Sequence, residues 1–328
     1  MLLLALVLVA AALAFAYSLG AHYTGACMGM PFAAGAIRLG PALLFMAPFV
    51  VVGAVFASGA VEATVGHGIL ASATVAIPLA VAIIVSAFCL TAAYNTVALP
   101  TSTIQILVFS AVGAGLADGV GIHWRTIETL VAVWAAAPFA ACGLGYLLTR
   151  LLDRRRTRRA DPSGSSPPVS RLTAHTAWAL VAIGGAASFA MGANDVANAS
   201  GAFVMTGLFG LTVAGLIGGV GMAVGVLTWG RPLLRRVAFD IVRLDPTTAA
   251  ASQLAQATVI LVSVGFGYFT SMNQALVGAM IGAGLARPGG TVRRRTVQGI
   301  LAGWAVGPAS GAALGFSLTS LFVLTHLL

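Results

Sequence analysis

The chain has 328 residues, is 59% hydrophobic and only 8% charged, and carries a formal net charge of +9. A water-soluble domain carries roughly 25% charged residues, so this composition excludes one and points to an all-α integral membrane protein. No aromatic-interleaved basic surface accompanies the positive charge, which is therefore read as a topology signal and not as a nucleic-acid site.

In chain order, apolar stretches long enough to cross a hydrocarbon core of about 30 Å are expected at 1–19, 41–60, 69–97, 127–150, 173–191, 202–228, 247–269 and 297–325. The first, MLLLALVLVAAALAFAYS, has the apolar core of a signal peptide but no positive n-region, and its counterpart 173–191 lies mid-chain. It reads as a retained first span. Glu62, in GAVEATVGHG, reads as a solvated acid in an external loop, with proton coupling the weaker reading. Two shorter apolar segments, 100–117 and 270–286, accompany Ser-bearing motifs and fit either full crossings or re-entrant hairpins. Residues 151–172 combine an Arg run with Asp, Pro, Ser and Gly, the composition of a flexible linker. Lipid headgroups are an expected contact for its arginines. Cys27, Cys89 and Cys142 imply neither a disulfide framework nor a metal-ligand spacing.

The halves on either side of that linker repeat one another. Residues 101–117 read TSTIQILVFSAVGAGLA and residues 270–286 read TSMNQALVGAMIGAGLA. Upstream, GAHYTGACMG from Gly20 pairs with GANDVANASG from Gly192. Duplicated apolar halves with polar breaks at matching places are a signature of secondary transporters. The expectation is about ten transmembrane or re-entrant segments in two inverted repeats of five. The first repeat covers 1–150, the linker 151–172 and the second repeat 173–328.

All 17 basic residues are arginine. With five crossings per half, all but Arg125 fall on the linker side, which the positive-inside rule makes cytoplasmic. Both termini are then outside a multi-pass protein of the cell membrane.

Two groups of residues carry candidate chemistry. Asn194, Asp195 and Asn198 sit in an apolar stretch where Asp195 is the only acid between Asp161 and Asp240. An intramembrane acid is costly and marks function. A helix break here offers carbonyls and half-helix ends to a cation, sodium or a proton. His22, at the matching break, titrates near neutral pH when unperturbed, and reads either as a proton-coupling group or as a satisfied polar residue. The second group is Ser102, Thr103 and Gln105 with Ser271, Asn273 and Gln274. Hydroxyls and amides followed by a helix present N–H donors to an oxyanion, and Pro100 suits the start of such a helix. No nucleophile–base pair or metal-ligand spacing marks an enzyme, and no cofactor beyond a coupling ion is expected.

GANDVANA, LTWGRP (Leu227–Pro232) and the paired hairpin motifs resemble the inorganic phosphate transporter (PiT) family over essentially the whole chain. The resemblance implies phosphate transport coupled to sodium or protons, inverted repeats and a homodimer. It places the cation at Asn194, Asp195 and Asn198, and the oxyanion at Ser102, Thr103 and Ser271. The chain departs from the family pattern with GAHY in place of the first GAND, Ala26 opposite Asn198, and PTSTIQ and FTSMNQ in the hairpins. The first-half motif also resembles the sulfate permease branch of that superfamily. Sulfate is the alternative substrate, and a non-transporting oxyanion sensor or a passive channel the alternative class.

Overall fold

The computed structural model describes residues 2–159, 173–237, 245–287 and 294–326, and is helical throughout them apart from loops and one isolated β-bridge, Leu70 with Ile122. The first half supplies α1 (Leu2–His22), α2 (Thr24–Ala33), α3 (Leu39–Phe56), α4 (Gly59–His67), α5 (Ile77–Thr96), α6 (Thr103–Asp118) and α7 (Trp124–Arg159). The second supplies α8 (Ala174–Asp195), α9 (Ala197–Met205), α10 (Leu211–Trp229), α11 (Arg231–Arg236), α12 (Pro246–Gly265), α13 (Met272–Leu285) and α14 (Arg294–Leu324). Among the described residues, eight helical segments are long and apolar enough to cross a membrane, with α6 and α13 shorter. Leu8 and Phe15 of α1 are fully buried, so the first span is part of the packed bundle.

Four boundaries differ from the sequence expectation. The first and fifth spans do not end at their polar motifs: α1 stacks onto α2, and α8 onto α9, through a one-residue interruption at Tyr23 and at Val196, so each pair makes one 32-residue segment. The stretch expected as one span at 202–228 is instead cut at Thr206–Gly210, where Gly207 takes φ +67°. Helix α7 also runs on to Arg159, into the segment read as linker; 160–172 lies outside the described residues.

The helices pack in matched pairs: α1 on α10 and α3 on α8, α1 on α5 and α8 on α12, α6 on α14 and α13 on α7, α4 on α9 and α11 on α2. Many of these pairs join one half of the chain to the other, so the halves are interlaced. The repeated GAGLA explains itself here. A Cβ at Gly113 would stand well inside contact distance of the Ala312 carbonyl oxygen, and one at Gly282 inside that of the Cys142 carbonyl oxygen. Backbones this close tolerate glycine alone, the usual device for close helix approach in lipid.

Helices α5 and α6 form a hairpin whose root is closed by Ala71 N–H to the Gly121 carbonyl (2.8 Å) and His123 N–H to the Ile69 carbonyl (3.0 Å). Its tip, 97–102, reaches the linker end of the bundle, where Arg236 of α11 donates to the Val97 carbonyl (3.4 Å). Helices α12 and α13 form the opposite hairpin. Its root lies at the linker end, where Arg287 bridges Asp153 of α7 (2.7 Å) and Asp245 at the start of α12. Its tip, 266–271, meets α4 at the far end through the Thr64 hydroxyl and the Gly267 carbonyl (2.8 Å). The two tips turn alike: Ala98 and Gly267, at matching positions, take φ +50° and +74°.

Candidate functional site

The interruptions in α1–α2 and α8–α9 and the N-termini of α6 and α13 converge in the middle of the bundle. All ten residues singled out from sequence lie there, buried, none more than 8% exposed.

Each hairpin helix starts on a serine. The Ser102 hydroxyl oxygen accepts from Gln105 N–H and that of Ser271 from Gln274 N–H, both at 3.4 Å. A serine that caps a helix this way spends a lone pair and keeps its O–H proton to donate. The two N-termini face one another, because the Gln105 and Gln274 side chains exchange amide hydrogen bonds at 3.2 and 3.5 Å. Two helix N-termini add their partial positive charges at one place.

The extended residues before these caps are held by the helix breaks. Asn194 donates to the Thr270 carbonyl (2.8 Å) and accepts from Thr270 N–H (3.0 Å). In the first half, Thr101 N–H points at His22 Nε2 (3.2 Å) and Asn273 donates to the Thr101 carbonyl (2.8 Å). His22 Nδ1 lies 2.6 Å from Asn95 Oδ1. The Asn95 amide nitrogen is committed to the Ser18 carbonyl and hydroxyl, so its oxygen accepts and Nδ1 carries the ring proton. That tautomer leaves Nε2 free to accept from Thr101.

Asn194 and Asn198, on either side of Val196, reach different hairpins. Asn198 turns to the other hairpin, its amide 3.5 Å from the Thr103 hydroxyl, which also pairs with the Tyr23 hydroxyl (2.7 Å). Asp195 lies beside the Asn194 side chain and the Tyr23 hydroxyl, and close to Cys27. Both Asp195 carboxylate oxygens, Asn198 Oδ1, Thr270 Oγ1 and Gln253 Oε1 are buried with no hydrogen-bond partner among the described residues. Oxygens from carboxylate, amide and hydroxyl are the donor type for a hard cation. No group of three or more His, Cys, Asp or Glu suited to a transition metal occurs among the described residues.

Sequence reasoning did not single out Gln253 and Gln256 of α12. They are fully buried, with Gln253 donating to the Ala26 carbonyl (2.6 Å) and to Gln256 (2.6 Å), and Gln256 to the Met272 carbonyl (3.3 Å). Two amides three positions apart in an apolar span were the available signal. Tyr23, noted only as a departure from a motif, stands inside the site.

The sequence model of the phosphate transporter family matches residues 19–173 and 163–315. The chain belongs to the phosphate transporter family. It is 29% identical to the sulfate permease CysP of Bacillus subtilis (strain 168), over 94% of this chain and 85% of that one. It is 28% identical to a probable low-affinity inorganic phosphate transporter of Mycobacterium leprae (strain TN), over 97% and 82%. The solved structure of a sodium-dependent phosphate transporter superposes on all of both chains with a TM-score of 0.87 at 20% identity, a likeness of fold. Family membership and eight spans make this a multi-pass membrane protein of a transporter family, not of an enzyme family.

Proposed function

We propose that the protein is a secondary active transporter of a tetrahedral oxyanion, with inorganic phosphate as first substrate, moved in symport with a cation. The observation that carries this is the meeting of two serine-capped helix N-termini beside a buried Asp195 that has no counter-charge among the described residues. Ser102, Thr103 and Ser271 donate to the oxyanion from neutral hydroxyls rather than from a positive side chain, so binding is selective yet reversible. Gln105, Asn273 and Gln274 close the site between the hairpins, and their amide pairs open to admit the anion.

Asp195, Asn198, Thr270 and Gln253 offer oxygens to the coupling ion. A buried carboxylate without a counter-charge is stabilised by a bound cation, which ties occupancy of the two sites together. Sodium is the first ion to test, because the protein of similar fold is sodium-dependent. We assign His22 and Asn194 to holding the hairpin tips. Alternating access would follow from exchange of hairpin and helix-break contacts between two inverted repeats, 1–150 and 173–328, an arrangement supported by the matched packing pairs. The arginine distribution supports a cytoplasmic linker 151–172 and external termini in the cell membrane. A homodimer embedded in lipid is the proposed assembly.

Sulfate is the second reading, favoured by Tyr23 where the second half has Asp195 and by the similarity to a sulfate permease. Proteoliposome uptake of labelled phosphate and labelled sulfate, under sodium and proton gradients imposed separately, decides between them. Accumulation of phosphate supports the first reading and accumulation of sulfate alone the second. Saturable binding without uptake indicates a sensor, and gradient-independent, non-saturating flux a channel.

A further inference from the structure

Glu62 is not the solvated loop acid that its sequence context implies. It is fully buried on α4, a short helix wedged between α9 and the tip of the second hairpin. The wedge is tight. A Cβ at Gly66 would lie 2.6 Å from Val204, and one at Gly201 would run into Val65. The Glu62 carboxyl meets the Ser200 hydroxyl through Oε1, while Oε2 accepts no hydrogen bond among the described residues; the Ser58 hydroxyl lies nearby but donates to the Ala54 carbonyl.

No positive charge faces it among the described residues. The elements packed on α4 are α8, α9, α10 and α12. Of these, α9, α10 and α12 contain no titratable residue, and α8 contributes only Asp195, near the site, and His175, at its distant first turn. On α4 itself His67 is exposed, and the neighbouring hairpin tip carries Tyr268, which is half-buried. An ionised Glu62 would therefore be a buried charge with half of its oxygens bare, an arrangement that proteins avoid.

The neutral acid fits better. Ser200 has one hydroxyl proton and two acceptors in reach, Glu62 Oε1 and the Val196 carbonyl (3.0 Å). If Glu62 carries a proton on Oε1, a continuous relay runs from Glu62 to the Ser200 oxygen and from the Ser200 proton to the Val196 carbonyl. Both donors are then used, and only the neutral carbonyl oxygen of the acid is left bare. Val196 is the residue that interrupts α8–α9, directly after Asp195.

We propose that Glu62 and Ser200 form a proton-binding site, separate from the Asp195 site, whose occupancy fastens α4 to α9. Loss of the proton places an unpaired carboxylate in this wedge and drives α4 outward, away from α9 and from the Gly267 tip. The proposal does not depend on which anion the protein carries.

The test is infrared difference spectroscopy of the full-length protein in liposomes during a pH titration, following the carbonyl stretch of protonated carboxylic acid. Wild type is expected to show an acid band at neutral pH that vanishes on alkalinisation. The component should be missing in Glu62→Gln, retained in Asp195→Asn, and shifted in frequency in Ser200→Ala. If Glu62→Gln does not fold, the Ser200→Ala shift decides. Wild-type and Glu62→Gln spectra that superimpose, or a band unmoved by Ser200→Ala, would overturn the proposal. Uptake of phosphate and sulfate is read separately, so a failure of transport and a failure of this site are distinguishable.

Discussion

His22 and Asn194 hold equivalent backbone groups. Asn194 takes both the N–H and the carbonyl of Thr270, whereas His22 takes the N–H of Thr101 and leaves its carbonyl to Asn273. The clamp of the first hairpin thus includes a residue of the second, which couples the two tips. His22→Ala leaves buried donors and acceptors unsatisfied at Thr101 and Asn95, and is expected to cost about 2 kcal/mol of stability. Chemical denaturation in detergent measures this. His22→Asn should recover part of the loss and preserve the pH profile of uptake, since the histidine is held in one neutral tautomer.

Asp195→Asn replaces a buried carboxyl that has no counter-charge among the described residues by an amide of the same shape. Thermal unfolding without sodium should then occur at the wild-type temperature or above it. Sodium should raise the wild-type transition, by about 2.7 kcal/mol of stability at a concentration 100 times the dissociation constant, and should leave the variant unmoved.

Ala98 adopts a left-handed backbone conformation, φ +50°, at the position where the second hairpin has Gly267. This conformation costs a non-glycine residue about 1–2 kcal/mol. Ala98→Gly is expected to stabilise the protein by about 1 kcal/mol, partly offset by the greater freedom of glycine in the unfolded chain. Gly267→Ala should destabilise it. Paired thermal melts of the two variants check both signs.

At the linker end, burial alone would push the Asp245 carboxyl up, but the Thr248 hydroxyl, the Arg287 guanidinium and the Thr247 and Thr248 N–H groups hold it below its ordinary value. A carboxyl with a lowered folded pKa contributes stability above its unfolded value, about 3.9, and loses that contribution as pH falls through the folded value. Acidification below about pH 4 should therefore lower the melting temperature of wild type more than that of Asp245→Asn. The Arg287 side chain is 30% exposed, so the contribution is screened and amounts to roughly 1 kcal/mol or less.

Loss of either serine cap weakens the anion site in two ways, through the helix start and through the lost O–H donor. Ser102→Ala and Ser271→Ala are each expected to raise the KM for the transported anion about 10-fold, the equivalent of roughly 1.4 kcal/mol. Initial uptake rates over a range of anion concentrations measure this.

Much of this arrangement is legible in the sequence because polar residues stand out in an apolar chain. Asp195, the serine motifs and the duplicated GAGLA each break a hydrophobic run, and each lies where two backbones meet or where the site forms. What pairing each residue makes is not legible. The role of His22 depends on Thr101, 79 residues away, and on a carbonyl claimed by Asn273. Glu62 looks like a loop acid because α4 has only nine residues and is bounded by glycines. Its burial is set by α9, whose Ser200 comes 138 residues later. The continuous stacking of α1 on α2 and α8 on α9 is hidden for a similar reason, since a polar motif inside an apolar run reads as the end of a span.

In the proposed mechanism, Asp195 links a cation to movement of the oxyanion. This link is tested most directly by comparing wild type with Asp195→Asn in proteoliposomes, measuring net accumulation under a cation gradient and counterflow exchange of labelled anion without one. Wild type is predicted to do both. Asp195→Asn is predicted to retain exchange and to lose accumulation. Gradient-driven accumulation by Asp195→Asn at the wild-type level would show that Asp195 does not couple the cation to the anion.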